Sequence, residues 1–342
     1  MKWPLLPVIA LLAPQHVTAQ MMLRFACSQL VVERTDPLVE PGENPSSHLH
    51  QIVGGNSFNI TMTPVEHDLA TESTCTSCSF PQDRSNYWTA ILFFKRADGK
   101  FKRVPQVANS GLHNKGGMDV YYIPSGTVTS FPPGFRMLAG DAMATNPPTS
   151  AQGNICFRCW NAPNENTFVG GAPCTGQDTV DIPNSRDCYF LRQTIIFPAC
   201  WDGVNLDSPN HQDHVAYSGV GATGGGPCPA SHPVKVPQVM YEIMWDVREF
   251  QADQSMWPTD GSNPYILSNN MGGSAAHGDY VFGWEGDILQ RAMDNRCNLN
   301  MACPAAGLIT QSEAEYDACT VPQQAEEAVD GWLDELPGYA GV

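Results

Sequence analysis

The chain has 342 residues, with 35 acidic against 18 basic side chains and a formal net charge of −17. With Lys100-Phe101-Lys102-Arg103 as its one basic cluster, it lacks the electrostatic footprint of a nucleic-acid binder or of a protein that docks on anionic membranes. A neutral ligand suits this balance better than a polyanionic one. The 28 prolines and 30 glycines disfavour long helices, and 12 cysteines form an even set that an oxidising compartment allows to pair.

Residues 1–19 read as a signal peptide, with Lys2 before a short apolar core and Val17-Thr18-Ala19 offering small residues at the cleavage position. The core is too short to span a bilayer, and no later stretch reaches transmembrane length. The expectation is a secreted, extracellular monomer in which residues 20–342 form a single large β domain. Asn59-Ile60-Thr61 is an acceptor pattern for N-linked sugar at Asn59 and predicts that this position lies at the surface.

In chain order, short β-branched and aromatic runs predict strands at Tyr87–Phe94, Met118–Ile123, Phe135–Ala139, Ile195–Phe197 and Val239–Trp245, separated by Gly, Pro, Asn and Ser. Two segments read as helical: Ile288–Met293 and a tail from Glu326 to Leu336, where Val329, Trp332, Leu333 and Leu336 make one apolar stripe. Gly221–Gly226 reads as a loop that runs straight into Cys228, not as a domain boundary. The predicted fold is all-β: a disulfide-stabilised sandwich or jelly-roll type with long loops and few short helices. Cys75-Thr76-Ser77-Cys78 and Cys156-Phe157-Arg158-Cys159 have the spacing of zinc knuckles or redox dithiols, but export favours structural disulfides.

Several ordered motifs together resemble the fungal secreted DUF1996 family. They are Arg24–Arg34, Asp36-Pro37-Leu38-Val39, Ser47–Asn56 (SHLHQIVGGN), Cys200-Trp201-Asp202-Gly203 and Tyr241–Asp246, in a match from about Arg24 to Trp284. Some members of that family look fused to carbohydrate-binding modules, so the resemblance implies work on a cell-wall or biomass glycan. It carries no established mechanism.

The chemistry is therefore read from the residues. On a strand, His48 and His50 share one face about 7 Å apart, while Gln51 points to the other unless the segment turns there. His232 in Cys228-Pro229-Ala230-Ser231-His232-Pro233 sits at a rim, and His277 in Ala276-His277-Gly278-Asp279 lies beside a glycine and a carboxylate. Glu242 and Asp246 share a strand face about 13 Å apart, too far for the roughly 5–9.5 Å that glycosidase carboxyl pairs require, so either would pair with Asp279 instead. The expected cleft comprises His48, His50, Gln51, His232, Glu242, Asp246, His277 and Asp279. Glu242 would protonate the glycosidic oxygen while Asp279 or Asp246 activates water. This describes a glycoside hydrolase that requires no cofactor.

Three alternatives belong to other classes. A non-catalytic glycan-binding protein would use Trp160, Trp201 and Trp257 as stacking platforms. A polysaccharide lyase would use histidine as base and Tyr121 or Tyr217 to return the proton. A metal-dependent glycan-active enzyme would hold a divalent ion on His48, His50 and His277, with His232, Asp279, His211 and His214 as further candidate ligands.

Overall fold

The computed structural model describes residues 21–63, 67–145, 154–163, 173–218 and 225–339. The expected leader and positions 221–224 of the glycine-rich stretch lie outside the described residues. Ten strands form the body of the fold: β1 (Leu23–Cys27), β2 (Val31–Glu33), β3 (His50–Gly54), β4 (Asn86–Ala90), β5 (Met118–Ile123), β6 (Arg136–Gly140), β7 (Ile155–Trp160), β8 (Phe190–Ile196), β9 (Gln238–Asp246) and β10 (His277–Val281). They make two antiparallel sheets, ordered β1-β5-β9-β8-β7 and β2-β3-β4-β10-β6. Gln106–Val107 adds a short strand to β9. The structure is thus mostly β, as the runs of β-branched and aromatic residues predict.

The two sheets pack face to face through an aromatic layer. Tyr241, Ile243 and Trp245 of β9 enter this core with Tyr122, Tyr87 and Tyr280, whereas Met240 and Met244 belong to separate clusters on the outer face. Inside the layer the phenols satisfy one another: Tyr87 Oη lies 2.8 Å from Tyr122 Oη, which lies 2.9 Å from Tyr280 Oη. Tyr87 also donates to the buried Asp83 carboxylate at 2.6 Å. Gly278 makes the close approach possible, since a Cβ there would meet Ile195, Phe197 and Tyr241 atoms at 3.0–3.1 Å.

The same alternation sets the outer faces. In the second sheet, Val53, Tyr87 and Tyr280 point inward, and Ile52, Trp88 and Val281 point to an outer cluster with Leu38, Phe58 and Met62. His50, His277 and Asp279 therefore share that outer face, and Gln51 is on the inner one.

Helices are short: α1 (Leu69–Glu72), α2 (Arg248–Ala252), α3 (Ile288–Asp294) and α4 (Glu313–Ala318). α3 occupies the predicted segment. The predicted helix at Glu326–Leu336 does not form. Trp332–Leu333 instead pairs as a short strand with Phe101–Arg103, and Asp330 and Asp334 bind Arg103 and Lys100 at 2.6 Å each. Extended backbone serves both the ion pairs and the apolar stripe, because Leu336 still reaches a buried cluster with Val329 and Leu333 beside it. α4 carries a capping box between Ser312 and Glu315.

All 12 cysteines pair: Cys27–Cys78, Cys75–Cys319, Cys156–Cys174, Cys159–Cys188, Cys200–Cys228 and Cys297–Cys303. Neither Cys-x-x-Cys pair closes on itself, so the zinc-knuckle and redox readings lose their ligands. Among the described residues, no helix is long and apolar enough to cross a membrane. Cys75–Cys319 spans 244 residues and ties the segment after α4 to the loop beside β3. Replacing both of its cysteines with serine is expected to cost about 2–5 kcal/mol of unfolding free energy in denaturant titration, with the fold retained by the other five bridges.

Candidate functional site

Three buried histidines meet on the outer face of the second sheet. His50 opens β3, His277 opens β10, and His48 lies just before β3, outside the strand. Because His48 escapes strand geometry, its ring centroid lies 4.3 Å from that of His50 rather than at the two-residue strand spacing. His48 Nε2 is 3.1 Å from His277 Nε2, and His50 Nε2 is 3.4 Å from the same atom. His50 and His277 are buried, and His48 is 6% exposed.

The far side of two of the three rings is held by its surroundings. His277 Nδ1 lies 3.1 Å from the Ala275 carbonyl, which only accepts, so the proton sits on Nδ1 and the Nε2 lone pair points into the cluster. His48 Nδ1 is 2.9 Å from Ser47 Oγ. Burial, reinforced by His277, pushes His48 down to about 3. Burial likewise holds His50 well below the usual imidazole range, with its two neighbours adding to the effect. His277 is lowered by burial too. All three rings are neutral at physiological pH, the state in which imidazole ligates a metal.

Asp279 lies beside the group, next to His277. It is fully buried, its Oδ2 lies 4.0 Å from His277 Nε2, and neither carboxylate oxygen has a hydrogen-bond donor. Burial, with Asp36 nearby, pushes its carboxyl well above the usual range. Asp36 itself is raised to about 6 by burial, although Leu38 and Val39 N–H groups donate to it at 3.1 and 3.0 Å.

These residues fit a first-row transition metal. Metal–nitrogen bonds of about 2.0–2.1 Å in a tetrahedral arrangement put ligand nitrogens roughly 3.3 Å apart. The two Nε2 separations of 3.1 and 3.4 Å match, and the ligand atoms of His48, His50 and His277 all lie within 4.8 Å of one another. A divalent ion here would also supply the positive charge that the Asp279 carboxylate lacks.

The other expected site residues lie elsewhere. Glu242 is on the outer face of the first sheet, opposite in parity to Tyr241, which crosses the core to donate to the Asp279 backbone carbonyl at 2.6 Å. Two sheets therefore separate the side chains of Glu242 and Asp279, and the eight residues do not form one cleft. Glu242 accepts from Asn109 at 2.8 Å, from Arg192 at 3.3 Å and from Tyr121. Arg192 and Arg158 in turn grip Asp178. Asp246 pairs with Arg248 at 2.6 Å. The Gln51 side-chain amide donates to the Ile52 carbonyl at 3.3 Å.

His232 has both ring nitrogens engaged, with Ser231 Oγ and the Asp213 carbonyl at 2.9 Å each. His211 pairs with Asp207 and His214 with Ser208 and the Arg136 carbonyl, so neither joins the three-histidine group. Trp257, expected as an exposed platform, is buried against Phe94 and Tyr265, because its indole N–H finds the Phe250 carbonyl at 2.9 Å inside the core. Tyr121 is buried within the Glu242 network. Trp160 and Trp201 are half-buried, while Tyr217 is 38% exposed. Asn59 is exposed.

The sequence reading missed Arg192, Arg158 and Asp178, although an arginine inside the apolar run Tyr189–Ile196 signals a buried ion pair. It also missed Asp141, which follows β6 and acts on His277 through its charge. Asp141 lies on the wall of a cavity of about 600 Å³ that runs past the ends of β6 and β10.

The fold and site define a disulfide-braced β-sandwich with a buried cluster of three histidines and a buried carboxylate beside one of them. The chain belongs to the DUF1996 family, a domain of unknown function, which matches residues 36–284 and so includes His48, His50, His277 and Asp279. No curated protein and no solved structure matches it.

Metal loading would draw a proton from Asp279, since its carboxyl is raised and therefore protonated in the empty site below its folded pKa, whereas the neutral histidines have none to release from Nε2 of His277. Calorimetric titration of the metal-free protein with Zn²⁺ at several pH values, in two buffers of different ionisation enthalpy, is expected to show proton release on binding. Asp279→Asn should abolish that release. Identical heats in both buffers for the unsubstituted protein would contradict the assignment.

Proposed function

We propose that the protein is an extracellular, metal-dependent enzyme acting on a cell-wall or biomass glycan, with its centre at His48, His50, His277 and Asp279. The observation that carries this reading is a buried carboxylate with no hydrogen-bond donor, 4.0 Å from a histidine nitrogen that two further histidine nitrogens approach. A bound divalent ion supplies Lewis acidity and lowers the pKa of a coordinated water. The residues do the rest: the Ala275 carbonyl fixes the His277 tautomer, Ser47 orients His48, and Asp279 balances charge.

Six disulfides support an extracellular setting, and the net charge of −17 suits a neutral polymer better than an anionic one. Family membership adds the implied association with glycans. A carboxylate-only hydrolase has less support, because Glu242 and Asp279 point away from each other and Glu242 is already occupied by three donors. The non-catalytic glycan-binding reading keeps the half-buried Trp160 and Trp201 as candidate contacts.

Elemental analysis after chelation and reconstitution is expected to give about one ion per chain, and His277→Ala to lose it with little change in secretion. On a panel of glucans, mannans and chitin, product release should depend on the restored ion and fall at least about a hundredfold in His277→Ala. A protein that binds no ion, or that releases the same products when metal-free, would overturn the proposal.

A further inference from the structure

We infer that the cavity at the ends of β6 and β10 is a subsite for an uncharged glycosyl unit, which rests on the reading that the metal centre acts on a glycan. The cavity measures about 600 Å³, within the range of small-ligand sites. Its wall includes Gly140 and Ala276, and these are the register partner and the chain neighbour of His277. A sugar bound there would lie against the strand ends that carry the centre.

The lining separates one class of sugar from another. Asp141 and Asp213 offer carboxylates, the natural acceptors for vicinal hydroxyls, while Leu138, Ile155, Val180 and Val215 offer apolar surface for the C–H face of a pyranose. Among the described residues that line the cavity, none is lysine or arginine. His232 has no ring nitrogen free for a ligand, because its Nε2 donates to the Asp213 carbonyl and its Nδ1 meets Ser231 Oγ. A uronate would therefore face two carboxylates with no lysine or arginine to receive its own, which sets this cavity against acidic polymers.

The aromatic wall is preorganised. Tyr217 is 38% exposed, yet its hydroxyl is anchored on the Ile196 carbonyl at 2.9 Å, so its ring is held at the cavity instead of sweeping through solvent. Gln212 fastens the preceding loop to the end of β6 by donating to the Gly140 carbonyl at 2.8 Å. Fixing the loop before the ligand arrives reduces the ordering cost of binding.

The test uses the metal-loaded full chain, titrated calorimetrically with cello-, laminari-, manno- and chito-hexaose and with an oligoglucuronate. At least one neutral hexaose is expected to bind, and oligoglucuronate to bind more weakly than that hexaose. Tyr217→Ala and Asp213→Ala should each weaken the neutral ligand about tenfold, with circular dichroism and the ion content unchanged. Absence of binding by every neutral hexaose, tighter binding of oligoglucuronate, or unchanged affinity in both variants would overturn the inference. Elemental analysis keeps the two proposals apart: sugar binding that fails with the ion in place counts against the cavity alone. Sugar binding that persists in a chain unable to hold an ion counts against the metal centre alone.

Discussion

Packing two sheets through an aromatic layer forces each strand to send alternate side chains away from the core, and that alternation decides which polar groups can meet. Tyr280 and Gly278 face the layer, so His277 and Asp279 must face outward on the second sheet. Tyr241 faces it from the other side, so Glu242 must face outward on the first. No side-chain movement within a strand can undo this, because a one-residue slip would carry the tyrosines out of the core together with the change. The hydrogen bonds among Tyr87, Tyr122, Tyr280 and Asp83 make such a slip still more costly, since each buried hydroxyl would lose its partner.

Within that frame, His48 and His277 can satisfy each other without a ligand. With its proton on Nδ1, His277 offers an Nε2 acceptor, and an Nε2–H on His48 at 3.1 Å can satisfy it. Asp279 is what a hydrogen-bonded histidine cluster leaves unexplained. An uncompensated buried carboxylate is disfavoured strongly enough that it takes up a proton, and even then it has no acceptor within reach in the structure. A cation reverses both tendencies at once by favouring the carboxylate and using the imidazole lone pairs. A metal therefore gives His50 and Asp279 a role that a hydrogen-bonded His48–His277 pair does not.

Much of the architecture was legible because it depends on local pattern: apolar and aromatic runs became strands, and the even cysteine set paired. The His-x-His segment was legible too, but its geometry was not, since His48 lies before the strand and its ring folds back toward His50. Trp257 illustrates the limit for aromatics, as nothing in its neighbourhood of Ser, Pro and Asp reveals that its indole N–H is satisfied in the core. The Glu326–Leu336 stripe shows that i, i+3, i+4 spacing is not sufficient for a helix when the flanking acids have cations waiting along a strand edge. Whether Glu242 and Asp279 face each other depends on which sheet each strand joins and which face it presents, which is a property of topology and not of spacing.

The two outer faces thus carry two polar clusters, and their saturation separates their roles. On the first sheet, Glu242 and Asp178 have donors from Arg192, Arg158, Asn109 and Tyr121, so charges on β5, β7, β8 and β9 are closed into one network. A network whose carboxylates already have protein donors braces strands but has little left to offer a substrate. On the second sheet, Asp279 has no donor, the imidazole nitrogens crowd one another, and a cavity runs past the same strand ends. The proposed chemistry therefore rests on the histidines that open β3 and β10, where an unpartnered carboxylate lies beside converging imidazole nitrogens, and not on the carboxylate of β9.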